Sequence, residues 1–237
     1  MSLSNRSFIA ALLCSAMAAC SSSPKVPDWQ LEAKGSMERS VSAYLEGETR
    51  AEAVEFARAR SEVSSTGRID LMARAELLHC ASRVASLVFE ACTGFERLRQ
   101  DAAPAERAYA DYLAGKLQAQ DAALLPIQQR AAAIGGGAGA EAAIKEVADP
   151  LSQLVAAGAA LQAGRASPTV VQMAVDAASS QGWRRPLLAW LGVQASLADK
   201  AGDSAEAARL QRRMVLTQND KSAPLFQATP LPTKPVR

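Results

Sequence analysis

The stretch IDLMARAELLHCASRVASLV, residues 69–88, decides the fold class. On a helix of 3.6 residues per turn, Leu71, Ala75, Leu78, Ala81, Ala85 and Val88 form one apolar stripe. Ala73, Leu77, Cys80, Val84 and Leu87 form a second stripe beside it, and only Glu76, His79, Arg83 and Ser86 make a polar row. Apolar surface that wide predicts a helix buried on most sides. Residues 69–88 are therefore expected to be the central helix of an all-α domain.

The composition agrees. About one residue in five is alanine, aromatics are 5% of the 237 residues, and Val and Ile are thinly spread. Alanine has the best helix propensity, whereas strands favour β-branched and aromatic residues. The 26 Lys and Arg nearly balance the 24 Asp and Glu, giving a net charge of +2. That balance offers no basic face for nucleic acid, so no nucleic-acid partner is expected.

Working outward, the chain reads as a succession of helices. SMERSVSAYLEG (36–47) opens on Ser36 and stops at Gly47, and TRAEAVEFARARSEV (49–63) has Thr49 and Glu52 at capping-box spacing. After Pro104 at a first helical position, the pattern stays helical to about Ile134, with bends expected at Gly115 and Pro126. GGGAGA (135–140) is a flexible break, and Glu141 to Ala163 is helical but kinked or split at Pro150. Ser167, Pro168 and Gly182 have the order of a cap, a first-turn proline and a stop. Leu187–Lys200 and Ser204–Leu216 are two further helices across the AGD turn. About eight helices with short connections predict an antiparallel array of helical hairpins, taken as one domain over residues 36–220. Residues 221–237 carry four prolines and are expected to be extended or disordered.

GETRAEAVEFARAR (47–60) and GDSAEAARLQRRM (202–214) echo one another: Gly-acidic-hydroxyl, then Ala-Glu-Ala, then an Arg-bearing helix. The second copy resembles a tetratricopeptide-repeat hairpin, with Gly202-Asp203 at the inter-helix turn and Ala207 at the small crossing position. It departs from that pattern at Gln211 and Met214, where large apolar residues are usual. True repeats and generic well-capped hairpins fit the echo equally, and two copies fall short of the three that a solenoid needs.

The N-terminus reads as a targeting segment, residues 1–19. Arg6 supplies the positive region, and FIAALLCSAMAA (8–19) is an apolar run of 12 residues, too short to span a bilayer. Ala16-Met17-Ala18 offers an ordinary signal-peptidase site, whereas Met17-Ala18-Ala19-Cys20 resembles the lipobox of bacterial lipoproteins, with Met17 in place of the usual leucine. The resemblance implies lipidation of Cys20 and, with Ser21 following, delivery to the outer membrane of a Gram-negative cell, facing the periplasm. Residues 20–35 then read as lipidated cysteine and tether. More than one acyl chain is needed for stable anchoring, and the three chains of a mature lipoprotein suffice.

On that reading Cys14 leaves with the signal and Cys20 is acylated, so Cys80 and Cys92 remain as a candidate disulfide in an oxidising compartment. Twelve residues of helix would separate them by about 18 Å, against the ~7 Å limit of a disulfide. A bridge therefore requires the helix to end near Leu87–Phe89 and EACTGF to fold back. Two buried free thiols are the alternative.

Chemical signatures are sparse. His79, the only histidine, sits one turn from Glu76 and Arg83 and reads as a solvated surface residue with helix-spaced ion partners. One histidine and two cysteines supply no zinc-ligand spacing, and no cofactor is expected beyond the lipid on Cys20. IGGGAGAEAA lacks the Gly-Lys-Ser/Thr ending of a phosphate loop and reads as a linker. QGWRRPLLAW (181–190) offers Trp183, Arg184, Arg185 and Trp190 as a candidate partner-contact cluster, since Trp and Arg are enriched in binding hot spots. The alternative is that Trp190 fills the core and Trp183 covers a helix end. No catalytic residues are assigned. The resemblance to envelope lipoproteins bearing tetratricopeptide-like domains implies a non-enzymatic adaptor for an envelope protein partner. A cell-wall or small-ligand binder is the second reading, and a carboxylate-based glycan hydrolase the third.

Overall fold

A computed structural model describes residues 25–219, and everything structural below refers to these. The targeting segment 1–19, the candidate lipidation site Cys20 and the Pro-rich tail 221–237 lie outside them. The described residues form an all-α array without strands. Helices α1 (Asp28–Glu46) and α2 (Thr49–Ser64) make the first hairpin, and α3 (Ile69–Ala85) follows. Next come α4 (Thr93–Glu96), α5 (Pro104–Leu113), a 3₁₀ segment (Ala119–Leu124), α6 (Ile127–Ile134) and α7 (Ala138–Lys145). The array continues through α8 (Pro150–Gln162), α9 (Pro168–Ser180) and the closing hairpin α10 (Arg184–Lys200) with α11 (Ser204–Asn219). None of these helices is long and apolar enough to cross a membrane.

Several boundaries differ from the sequence reading for local reasons. α1 begins at Asp28 directly after Pro27, eight residues before the expected start, so the tether does not extend to Gly35. Proline cannot continue a helix backwards, and Asp28 complements the positive helix end. Ser36 is consequently a buried helical residue that accepts a hydrogen bond from Arg39 Nη2 at 2.9 Å. The Thr49–Glu52 capping box does not form: Glu48 is the cap, and both side chains are used in tertiary contacts. Neither Gly115 nor Pro126 bends a helix: Gly115 follows the end of α5, Pro126 caps the start of α6, and the segment between them is a loop and a 3₁₀ turn. The glycine run is shorter than expected, with α7 starting at Ala138. At Ser167, Pro168 and Gly182 the expected cap, first turn and stop are all present; the Ser167 hydroxyl accepts from the Val170 amide at 3.3 Å.

α3 is central, packing against α8, α5, α2, α1 and α4. Its closest neighbour is α8, where a Cβ on Gly158 would overlap the Val84 carbonyl. Ala156, Ala157, Ala159 and Ala160 around that glycine are all buried, so the alanine-rich composition serves close helix approach as well as propensity. Trp190 from α10 is fully buried, and its Nε1 donates to the Ala85 carbonyl at 3.0 Å, satisfying one of the carbonyls orphaned where α3 ends.

α3 stops at Ala85, and Leu87 takes a left-handed φ of 60° that an L side chain rarely adopts. The chain then doubles back, bringing Cys92 beside Cys80 with Cα atoms 5.9 Å apart, a disulfide-capable pair. The fold-back falls where the sequence required it.

The first stripe of α3 is less covered than its pattern predicts. Ala75, Ala81 and Ala85 are buried, but Leu71 is half-buried and Leu78 is 36% exposed. One flank of the central helix therefore stays open.

Candidate functional site

Two features flank α3, one polar and one apolar. On the polar flank Glu76, His79 and Arg83 do not face water, because α2 lies along them and residues 90–97 fold over their end. The result is a cleft of about 340 Å³ whose wall includes Cys80 and Cys92, with the exposed Arg97 at its rim.

His79 was expected at the surface, yet its side chain is only 19% exposed. Its Nε2 donates to Glu52 Oε1, 2.7 Å away on α2, and its ring stacks on Phe56 with centroids 3.8 Å apart and planes 4° apart. Arg83 Nη2 approaches the same carboxylate oxygen at 3.4 Å, while its guanidinium lies 4.7 Å from the centre of the Tyr44 ring on α1. Ser40 Oγ, also on α1, donates to the Glu52 backbone carbonyl at 3.2 Å. Glu52 is thus the point where α1, α2 and α3 are tied together. Burial and the Arg83 charge hold the imidazole below its ordinary pKa, against the opposing hydrogen bond to Glu52. At neutral pH His79 is therefore an uncharged donor to Glu52.

Glu76 is almost fully buried and pairs with Arg60 Nη1 at 2.7 Å, a close ion pair rather than an aligned hydrogen bond. Burial pushes its pKa up, opposed by Arg60, Arg97 and Arg83. Gly94 lies against this carboxylate so tightly that a Cβ would overlap it. Each acid in the cleft interior therefore has a cation, and the arrangement works chemically as a cross-link between helices. Sequence reasoning saw the α3 row but missed its complement, Glu52, Phe56 and Arg60, spaced four apart on one face of α2.

The candidate partner-contact cluster is used within the chain. Trp190 is in the core, and Trp183 packs partly buried against it. Arg184 donates to the Glu46 carbonyl at 3.0 Å, and Arg185 donates to the Tyr44 carbonyl at 2.7 Å and to Thr49 Oγ1 at 3.0 Å. The Arg185 guanidinium also sits 4.4 Å from the Tyr44 ring centre. These arginines satisfy carbonyls exposed at the end of α1 and clasp the closing hairpin to the opening one. The expectation of a free contact cluster is corrected accordingly: the two tryptophans divide between core and helix end, and the arginines between them are occupied.

On the apolar flank, α1, α2 and α3 enclose a groove of about 310 Å³. Trp29, Met37, Leu71 and Leu78 line it, and Lys34 and Arg68 stand at its edge. Arg74 and Leu78 also line the adjoining cavity toward α5, so the two depressions share a wall. Among the expected site residues none falls in this groove. The exposed half of the Leu71–Leu78 stripe is the only signal that the sequence carried.

No family model, curated protein or solved structure matches this chain.

Proposed function

We propose that this protein is a non-enzymatic, lipid-anchored adaptor of the bacterial outer membrane that holds an apolar segment of an envelope protein partner in the groove of α1, α2 and α3. The observation that carries the reading is the uncovered apolar flank of the central helix. Leu71 and Leu78, which a sealed bundle would bury, line a groove instead. Trp and Arg are residue types of binding hot spots, and with Arg68 paired to Asp70 and Lys34 3.8 Å from Glu38 it is the apolar wall that a partner segment would meet. The groove begins at Trp29, nine residues after Cys20, and nine residues of chain reach at most about 30 Å. Acylation of Cys20 would keep the groove close to the membrane surface.

The hydrolase reading draws less support, because Glu52, Glu76 and Glu106 each carry a guanidinium within 3.4 Å. The small-ligand reading draws support from the adjoining cavity.

The test is site-specific photocrosslinking in cells, with the crosslinker at Met37, Leu71 or Leu78 and, as controls, at the exposed Val54 and Val215. The expected result is one discrete adduct with an envelope protein from the groove positions, absent from the controls and lost with Leu78→Asp. Metabolic acyl labelling should disappear in Cys20→Ala. Equal adducts from groove and control positions, or acyl labelling that survives Cys20→Ala, would contradict the reading.

A further inference from the structure

The cavity beside the groove has the makings of a ligand site of its own. α3, the first turns of α5 and the end of the 3₁₀ segment enclose about 410 Å³, within the range of small-molecule pockets. Leu77, Leu78, Leu124, Leu125 and Pro126 make its walls apolar. Against them stand two polar groups from one face of α5, Glu106 and Tyr109, three residues apart.

Glu106 is 6% exposed. It lies in the first turn of α5, where the helix dipole favours a carboxylate. Its Oε1 accepts from Arg74 Nε at 2.9 Å, but its Oε2 is buried with no hydrogen-bond partner. Tyr109 contributes to the wall, and burial together with the charge of Asp149, a residue outside that wall, pushes its pKa up. Buried acceptors are nearly always paired, because an unmet one is costly and a charged one more so. The fold supplies no second donor to Glu106. A ligand that brought one would remove that cost.

We propose that this cavity binds a small amphiphile with an alkyl or aryl body and a primary ammonium head. The body fills the leucine-lined space, and the ammonium donates to Glu106 Oε2. Arg74 does not have to leave, since its side chain is 64% exposed and keeps Oε1. The head must donate rather than accept, because Oε2 lacks a hydrogen-bond donor and an anionic head brings only acceptors. This inference is independent of what occupies the groove, although the two sites share Arg74 and Leu78.

The test uses the full chain carrying Cys20→Ala, so that no acyl chain of its own competes. Titrations with n-octylammonium and n-octanoate at equal ionic strength are followed by calorimetry. The expected result is submillimolar octylammonium binding, with octanoate at least about tenfold weaker. Glu106→Gln should weaken octylammonium about tenfold and abolish the discrimination. Leu124→Trp, at the 40% exposed rim, should weaken both probes by occupying the mouth without loss of the helical circular-dichroism signal. No octylammonium binding, equal affinity for the two probes, or tighter octanoate binding would overturn the proposal. If Glu106→Gln fails to fold, unchanged octylammonium affinity in Leu124→Trp overturns it, and weakened affinity supports it.

Discussion

Both flanks of α3 carry buried glutamates held by arginines, Glu52 and Glu76 on the α2 side and Glu106 on the α5 side. Glu76 and Glu106 each keep one oxygen without a hydrogen bond, and the contrast lies between Glu52 and Glu106. On the α2 side, the Glu52 Oε1 atom takes both the His79 donor and Arg83, and the backbone carbonyl of the same residue takes Ser40. On the α5 side, Glu106 has Arg74 on one oxygen and nothing on the other, facing a leucine-lined cavity. A satisfied buried network rigidifies and specifies the packing, whereas an unsatisfied one marks a place where the fold does not complete itself. The first flank is structure. The second carries the ligand site proposed above.

The comparison can be broken most severely at the disulfide-capable pair that closes the polar flank. Cys80→Ser or Cys92→Ser removes a cross-link over 12 residues of separation. In the chain-entropy model that lowers unfolding stability by about 3 kcal/mol, measurable by urea denaturation under oxidising conditions. Thiol labelling before reduction should find neither cysteine reactive in the parent protein.

Next in size is a matched pair of substitutions. Glu52→Gln leaves Arg83 without its counter-ion at the junction of three helices and should cost about 2 kcal/mol. Glu106→Gln removes an acceptor that is half unmet and beside an exposed arginine, so its cost should stay below about 1 kcal/mol. Equal losses would mean that the two flanks are not different in kind. Gly94→Ala should cost about 1–2 kcal/mol, since the new methyl must displace the Glu76 carboxylate or the α4 segment.

The smallest effect is a pH slope. The His79 pKa is depressed in the fold, so the unfolded chain binds more protons in that range. Stability should fall as pH drops below about 6.5, the unfolded value, and stop falling once the folded value is passed. Burial, Arg83 and Arg60 depress the imidazole, and Glu52 opposes them. Glu76 has a raised pKa and acts in the opposite sense above 4.5, its unfolded value, so the slope should flatten or reverse as that value is approached. His79→Gln should remove the component near pH 6 in denaturation series across that range.

The helical class was legible because it rests on local chemistry: alanine propensity, the wide stripe of 69–88, and the Ser167-Pro168 start and Gly182 stop. The fold-back of residues 86–92 was legible from the reach of a disulfide alone. What sequence reasoning misjudged depends on distant partners. His79 looked solvated because its own helix supplies charged neighbours, whereas its actual partner, Glu52, lies 27 residues away. Trp183, Arg184, Arg185 and Trp190 looked like a contact surface because the carbonyls awaiting the two arginines belong to a helix some 140 residues earlier. Gly158 attracted no notice in an alanine-rich run, yet it lets α8 approach the backbone of α3. The open flank was hidden by the stripe itself, since periodicity says which residues are apolar and not whether another element arrives to cover them.

The difference between the flanks is tested most directly by mapping n-octylammonium onto the backbone amides of the isotope-labelled Cys20→Ala chain by NMR. The account predicts shifts centred on Arg74, Leu78, Tyr109 and Leu124, with Glu52, His79 and Arg97 unmoved. Shifts centred on the polar cleft around His79 and Arg97, with the α5 side silent, would contradict it.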